Sequence, residues 1–513
     1  MQQCATRQGP VTVKMGTHAE NSKSTPFAGC HNAPSRQKFI ERDRTPATSD
    51  KAMEDSFPSE ESRSVSSQSS SALLDKIQDA WHFLLTQGHS RWFRMVLKES
   101  SLDRSCMEFL LCEARGLPED ERLSKILVRQ TPSGMSDGLI DQFVEFIALN
   151  HHSLEDLSLT PEFESVNGAH AHIHPQLLTI IPRLSNLNSL LLERCNLADD
   201  STRTFISEFF CPISTPTYGM YILPKRHQTA KLTLRDCTID EETIRVLGRA
   251  LELYSGLKEV TLQGLEMPTG SADALLNALV ATPSDLRLVE LISMGLENNS
   301  LPLLASLLQR HTNLRTFDLD WNFRLFANAA NSEFNKGLKM FSQSLSTHTR
   351  LKELNMEECS ISDSELTLFF RGLEENRCLE TFHMASNFGL QVGDWIDSFA
   401  KLSIHSLNLS DSLALKIPQA DQDRFLSAIS KNTSLKECIL HWTGIKWQKV
   451  DIFLRRNHVL EKVQELSAYP QRKRIGVSSW PIILQHIGNF GDASSVQLFM
   501  KIMREEFLLA HDT

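Results

Sequence analysis

Residues 187–197 read LNSLLLERCNL, and this short stretch contains the spacing that decides the fold. Leu187, Leu190 and Leu192 follow an L-x-x-L-x-L pattern, and Cys195 comes three residues later. Side chains of a strand alternate between its two faces, so Leu190 and Leu192 point to the same side. The stretch therefore predicts a short strand with one apolar face, followed by a turn at Cys195.

The same pattern recurs about ten times between residues 153 and 460. From the third copy onward, successive copies begin 28, 29, 28, 37, 28, 25 and 31 residues apart. A step near 28 residues leaves room for a strand, a tight turn, a three-turn helix and a return loop. Self-similarity at such a period predicts a solenoid in which each unit packs on its neighbours. The copies begin at Leu154, Leu187, Thr229, Leu257, Leu286, Leu314, Leu351, Leu379, Ile404 and Leu435.

Two polar positions repeat together with the leucines. An Asn or Cys after the strand is expected to occupy the turn, where Asn can bond backbone groups that the strand leaves unpaired. An Asn or His also precedes the first apolar residue of several copies by three positions. This is a helix C-terminal position, which suits residues that tolerate the left-handed conformation or carry positive charge. The second set is His311, His348, Asn376, Asn432 and Asn457.

Residues 153–460 resemble the ribonuclease-inhibitor-like class of leucine-rich repeats, on copies such as LNSLLLERCNL and RLKELNMEECSI. The resemblance implies an α/β fold: a right-handed, horseshoe-shaped solenoid with a parallel concave sheet, outer helices and helical caps at both ends. It covers some three-fifths of the chain. It is specific for the fold and not for function, because the class includes inhibitors, immune receptors, ubiquitin-ligase adaptors and GTPase activators.

The rest of the chain divides into three predicted segments. Residues 1–71 are polar and rich in serine, which predicts a disordered tail. Residues 72–152 place apolar side chains at helical spacing, with Ile126 and Leu127 interpreted as part of a helix, and predict an N-terminal helical cap. Residues 461–513 predict a C-terminal helical cap, because a solenoid must cover its open end.

Composition narrows the class of function. The 513 residues carry a net charge of −10, which argues against nucleic-acid and anionic-membrane partners. The sequence contains no 18-residue apolar run and no secretory signal at its start, and its ten cysteines are scattered. We therefore predict a monomer with reduced cysteines in the cytoplasm or the nucleus.

The motifs of common enzymes and cofactor sites are absent from the sequence, so we predict a non-catalytic protein without a cofactor or metal. Asp318, Asp320 and Asn322 read like the start of a calcium loop. Phe323 stands where that loop needs Gly, however, and Ala329 stands where it needs Glu. We therefore assign the two aspartates to the strand and the asparagine to the turn of a repeat.

Two further polar clusters are interpreted as solvated loops. His170, His172 and His174 alternate, which in an extended segment would place three imidazoles on one side. Residues 472–474 form a basic cluster near the end of the chain.

The predicted working surface is the middle of the concave sheet. Side chains between and beside the two inward leucines of each repeat face outward there, and in the middle repeats they are mostly acidic. Carboxylates on strands about 4.8 Å apart repel one another, so a patch of one sign beside an aromatic residue favours recognition of a basic protein partner. The predicted partner-binding residues are Glu259, Glu290, Asp318, Asp320, Trp321, Glu353, Asn355, Glu357 and His383.

Two other functions stay open at this stage. The first is a substrate adaptor of a ubiquitin ligase, since Leu117-Pro118 is similar to the opening of an F-box. The second is a GTPase-activating protein resembling the Ran activator, with Arg194 and Arg235 as contacts at strand edges.

Overall fold

An open parallel sheet of eleven strands runs through the computed structural model. The structure describes residues 78, 104–118, 125–128, 137–160, 171–210, 229–327, 332–412, 418–439, 450–458 and 461. Strands that are neighbours in the sheet follow one another along the chain, and β3 and β5 form a separate pair. The strands are β1 (Lys125–Val128), β2 (Asp156–Leu159), β3 (Ala171–His172), β4 (Ser189–Glu193), β5 (Cys195–Asn196), β6 (Lys231–Arg235), β7 (Glu259–Gln263), β8 (Leu288–Ile292), β9 (Thr316–Asp318), β10 (Glu353–Asn355), β11 (Thr381–His383), β12 (Ser406–Asn408) and β13 (Glu437–Ile439).

Helices connect the strands of the large sheet. The helix Asp363–Leu373 begins at a capping box, in which the N–H of Ser362 donates to Glu365 Oε2 at 2.9 Å. Single 3₁₀ turns precede α7 and follow α3. The helices are α1 (Arg104–Gly116), α2 (Asp137–Leu149), α3 (Pro175–Ile180), α4 (Asp200–Phe210), α5 (Glu241–Leu253), α6 (Ser271–Ala281), α7 (Leu301–Arg310), α8 (Ser332–Thr347), α9 (Asp363–Leu373), α10 (Trp395–Phe399) and α11 (Gln419–Lys431).

Each of the ten sequence copies forms one strand of the sheet, which confirms a leucine-rich-repeat solenoid fold. The inward apolar side chains and the facing helix side chains share one continuous core. Strand order in this core follows sequence order, because a parallel neighbour needs a crossover and each crossover supplies a helix that covers the sheet.

The sheet begins earlier than the repeat pattern indicated. Residues 125–128 form β1, which pairs in parallel with β2, so the helical interpretation of Ile126 and Leu127 is wrong. Helices α1 and α2 flank this strand. The predicted tail at 1–71 lies outside the described residues, as does nearly all of the predicted C-terminal cap. The division into caps stays a prediction.

A ladder of side-chain donors joins successive repeats at the turns. Asn387 Nδ2 donates to Met356 O at 2.8 Å in the preceding repeat and to Met384 O at 3.0 Å in its own. Its Oδ1 accepts the N–H groups of Cys359 and Ile361, at 3.1 and 2.9 Å. The side chain thereby satisfies backbone groups that the end of the ladder leaves unpaired, as the sequence predicted.

Cysteine and serine make the equivalent bond in other repeats, whereas Leu265 and Met294 occupy the slot in two repeats and carry no donor. Cys237 Sγ and Cys359 Sγ donate to Leu192 O and Leu319 O of the preceding repeats, at 3.4 and 3.1 Å. Ser412 Oγ donates to Met384 O at 2.7 Å. Cysteine and serine carry one donor each where asparagine has two, so the asparagine repeats make the larger number of bonds.

The residue before this slot has a positive φ in eight consecutive repeats. The chain leaves the strand by a left-handed step there, which costs an ordinary residue roughly 1–2 kcal/mol and a glycine almost nothing. Seven of the eight are not glycine, and the bulkiest is Trp321, at φ 64°. The eight are Arg194, Asp236, Gly264, Ser293, Trp321, Glu358, Ser386 and Asp411.

A second ladder of side-chain hydrogen bonds runs through the helix ends. Its Asn and His residues serve as hydrogen-bonding groups, and not as the left-handed or cationic residues that the sequence predicted. His348 Nε2 lies 3.2 Å from His311 O, and its Nδ1 accepts the N–H of Leu351 at 3.0 Å. Asn376 makes the equivalent pair of bonds: its Nδ2 donates to His348 O at 3.2 Å, and its Oδ1 accepts the N–H of Leu379 at 2.9 Å. These residues are buried donors and acceptors, and burial lowers the pKa of His311 and of His348, so the imidazoles are neutral and not cationic.

We predict that Asn387→Ala lowers the free energy of unfolding by at least about 3 kcal/mol, because several buried backbone groups lose their partners. Asn387→Cys should lose less, since cysteine occupies the same slot in other repeats. Urea denaturation of the three proteins measures the difference. An alanine variant as stable as the parent would show that the ladder does not hold the repeats together.

We predict that His348 makes the fold acid-sensitive. Because its folded pKa lies below the ordinary value of 6.5, the unfolded chain binds the proton first, and stability is lost as the pH falls below about 6.5. His348→Asn should flatten this loss, and Asn376→His should steepen it. Unfolding free energies between pH 5 and pH 8 compare the two swaps. Parallel pH profiles for all three proteins would contradict the assignment.

Candidate partner-binding face

The register of the strands aligns the outward side chains in straight rows. We call the row between the two inward apolar side chains, a position predicted to face outward, the central row, and its ten members pair strand by strand. Leucine spacing explains this pairing, because a slip of one residue would turn every leucine outward. The central row is Ser158, Leu191, Thr233, Thr261, Glu290, Asp318, Asn355, His383, Asn408 and Ile439.

Asp318 lies in the middle of the central row. It is buried, so the prediction that it lies on an exposed surface is wrong. Its Oδ1 accepts the N–H of Asp320 at 2.9 Å, and its Oδ2 accepts Asn355 Nδ2 at 3.0 Å. The pKa of Asp318 is raised to about 6. Burial is the main cause, the carboxylates of Glu290 and Glu353 add to it, and the two hydrogen bonds oppose it. The side chain therefore titrates near neutral pH.

Glu290 and Glu353 are the half-buried carboxylates beside Asp318. Glu290 Oε2 accepts the hydroxyl of Thr261 at 2.7 Å, and Glu353 Oε1 lies 3.4 Å from Asn355 Nδ2. Within the part of the chain that the structure describes, no lysine or arginine forms an ion pair with Glu290, Asp318 or Glu353. These three residues form one acidic cluster across β8, β9 and β10, which we call the acidic triad.

Other acidic residues of the predicted set have different surroundings. Glu259 forms a salt bridge with Lys231 at 3.5 Å, so its charge is compensated within the sheet. Asp320 is only 5% exposed, and its Oδ1 accepts the N–H of Glu357 at 2.6 Å. Asp320 thus supports the end of β10 from the neighbouring repeat, and the expectation that it is exposed is wrong.

The remaining predicted residues border the triad. Asn355 is 7% exposed, and no hydrogen-bond partner for its Oδ1 lies among the described residues. His383 follows it in the central row and is half-buried. Trp321 stands in the left-handed step after β9, with its ring 5.9 Å from the exposed ring of Phe323 in an edge-to-face arrangement.

Of the calcium-like residues, Asp318 lies in β9 and Asn322 in the turn, as the repeat interpretation predicted, whereas Asp320 lies in the turn after β9 and not in the strand. Asn322 is fully buried, and its Nδ2 donates to Leu291 O at 2.8 Å in the preceding repeat. His172 lies in β3 with its Nδ1 3.4 Å from Asp199 Oδ2, whereas His174 caps α3. Among the described residues no group of three or more His, Cys, Asp or Glu could hold a metal ion. Residues 472–474 lie outside them.

Arg194 and Arg235, the contacts considered for a GTPase-activating role, both make contacts within the sheet. No helix in the described ranges is both long and apolar enough to cross a membrane. Arg235 Nε donates to Gln263 Oε1 at 2.9 Å, and Arg194 lies 3.9 Å from the carboxylate of Glu193. Both proposed arginine contacts are therefore engaged within the sheet.

Sequence reasoning missed a row of cations at the edge where the strands begin. The residue directly after the first leucine of four successive copies is Lys258, Arg287, Arg315 and Lys352. All four are exposed. A basic residue at this constant position of the repeat is visible in the sequence, but the position precedes the outward strand positions from which the predicted surface was built. We call these four residues the basic row.

Comparison with known proteins found partly similar solved structures and no family. No protein-family model matches the chain, and no curated protein matches it. Solved structures that resemble it include the Rad7 and Elc1 complex in yeast, with 15% identity over 74% of this chain and 96% of that one, at a TM-score of 0.36. An internalin from Listeria monocytogenes has 13% identity over 68% and 93% of the two chains, at 0.37.

A third similar structure is the TLR13 complex with the RNA ssRNA13, with 15% identity over 64% of this chain and 37% of that one, at a TM-score of 0.36. Scores at this level reflect partial superposition. The assignment of a leucine-rich-repeat fold therefore rests on the strand order, the leucine core and the side-chain ladders described above.

We predict that Glu290→Gln with Glu353→Gln lowers the pKa of Asp318 from about 6, because two nearby negative charges disappear. The value should stay above 3.8, since burial is the largest cause of the shift. A carboxyl carbon NMR titration with labelled aspartate measures it, with Asp318→Asn to assign the signal. An unchanged pKa would mean that the three carboxylates do not interact.

Proposed function

We propose that this protein is a non-catalytic binding scaffold, and that the outward face of the sheet holds a basic segment of a protein partner. The observation that supports it most is the acidic triad, which has no lysine or arginine partner among the described residues. Elsewhere the fold compensates its carboxylates between repeats, as in the pairs of Lys231 with Glu259 and Arg324 with Glu297. Leaving three neighbouring carboxylates uncompensated is a cost that the fold does not require.

A lysine or arginine from a partner would remove that cost. A cation beside the triad favours the charged form of Asp318, so binding would release a proton wherever Asp318 is protonated in the free protein. The carboxylates are already oriented by Thr261 and Asn355, which lowers the entropic cost of association. Affinity should therefore weaken as the pH falls through about 6.

We further infer that the array belongs with the ribonuclease-inhibitor-like class of leucine-rich repeats. The length of the repeat supports this inference. Successive strands begin 28 or 29 residues apart, at Lys231, Glu259, Leu288 and Thr316. Each step contains a helix of 10 to 13 residues. Such steps alternate a strand with a full α-helix.

We predict that Glu290→Lys with Glu353→Lys abolishes capture of basic partners, because like charges then face each other. Affinity purification with the full chain, quantified by mass spectrometry, should show recovery of those proteins reduced by at least about tenfold, equivalent to about 1.4 kcal/mol. Circular dichroism and the urea midpoint should stay close to the parent, since both side chains are half-buried at the surface of the sheet.

A matched control carries the same change of charge on the outer helices. Glu208 in α4 and Glu252 in α5 are exposed, and the variant with lysine at both should retain the partners. Equal recovery from the triad variant and the control would remove the proposal. Equal loss from both would attribute binding to net charge and would also remove it.

A further inference from the structure

The basic row is continuous because the backbone joins its members directly. The N–H of Arg287 donates to Lys258 O at 2.6 Å, that of Arg315 to Arg287 O at 2.7 Å, and that of Lys352 to Arg315 O at 2.7 Å. The four residues therefore occupy one register position in four successive repeats. With about 4.8 Å between strands, the row is about 14 Å long.

The row has defined ends. Ala230 holds the same position before Lys258, and Glu380 holds it after Lys352. Lys352 forms a salt bridge with Glu380, which lies at one end of the row. The other end borders a cavity of about 400 Å³ that is lined by Lys231, Lys258 and Arg287 and also by the carboxylates of Asp156 and Glu259.

Three of the four cations are uncompensated. In the described portion of the chain, no carboxylate forms an ion pair with Lys258, Arg287 or Arg315. Like charges on adjacent strands destabilise a sheet, so the row carries a cost similar to that of the acidic triad. Carboxylates do lie nearby, but Glu259 is bound by Lys231 at 3.5 Å.

We propose that the basic row binds an extended acidic peptide segment that crosses the strands along this edge. Side chains on one face of an extended peptide recur about every 6.8 Å, so three alternating carboxylates span about 14 Å. That length matches the row, and the segment would lie at right angles to the strands. The site is separate from the acidic triad, so this inference stands or falls independently of the proposed function.

An acidic peptide fits better than a nucleic acid. The positive strip is only one residue wide, because Glu259 and Glu353 stand in the next row toward the middle of the sheet. A phosphate backbone with its bases needs a broader positive surface, and the chain as a whole carries a net charge of −10. Carboxylates of a narrow peptide can follow the strip, since Glu290 and Asp318 lie three positions further along their strands than Arg287 and Arg315.

Fluorescence anisotropy with the full chain tests this site. The probe is a labelled peptide with glutamate at alternating positions and serine between, titrated at low salt. We expect saturable binding that weakens as salt rises, and Arg287→Ala with Arg315→Ala should reduce it by about tenfold, as expected for two exposed ion pairs. The matched control, Arg249→Ala with Arg371→Ala, removes the same charge from exposed positions on α5 and α9 and should bind like the parent.

Three results would overturn the proposal. The first is absence of peptide binding by the parent chain. The second is equal affinity in the Arg287→Ala, Arg315→Ala variant and in its control. The third is stronger binding of a single-stranded oligonucleotide that the same variant loses, which would make the row a phosphate-binding site. The Glu290→Lys, Glu353→Lys variant should still bind the peptide, which separates failure here from failure of the proposed function.

Discussion

The bond from a turn side chain to a carbonyl of the preceding repeat is the interaction on which the rest of the structure depends. Asn322, Cys359, Asn387 and Ser412 make it in four successive repeats. Each bond compensates a backbone group at the point where the strand ends and the chain turns back toward its helix. Without it the turns of these four repeats would bury unpaired carbonyls.

Constant register is what turns a repeated sequence into rows of side chains. The acidic triad and the basic row are both products of it, since their members are far apart in sequence and adjacent across strands. The two features have opposite charge, and Glu353 of the acidic triad directly follows Lys352 of the basic row. A partner that touched both would have one orientation only, because reversing it would place like charges together.

Leucine spacing was sufficient to predict the strands and the whole central row, because the period of two makes a slip of register costly. It did not predict that Asp318 and Asn355 are buried, since their exposure depends on side chains from adjacent strands that are distant in sequence. The first strand was missed although Leu123, Ile126 and Val128 have the spacing of a repeat. The basic row was missed because its position precedes the strand.

The left-handed step after each strand has a consequence for how cooperatively the array folds. Eight residues adopt it, and in seven of them, from Arg194 to Ser386, the backbone N–H donates to a carbonyl of the next repeat, so the strained conformation is stabilised only while that neighbour is folded. A terminal repeat lacks one of its two neighbours. Unfolding is therefore expected to advance as a boundary moving inward from an end, in the manner of a zipper, and the middle repeats that carry both charged features are the last to open.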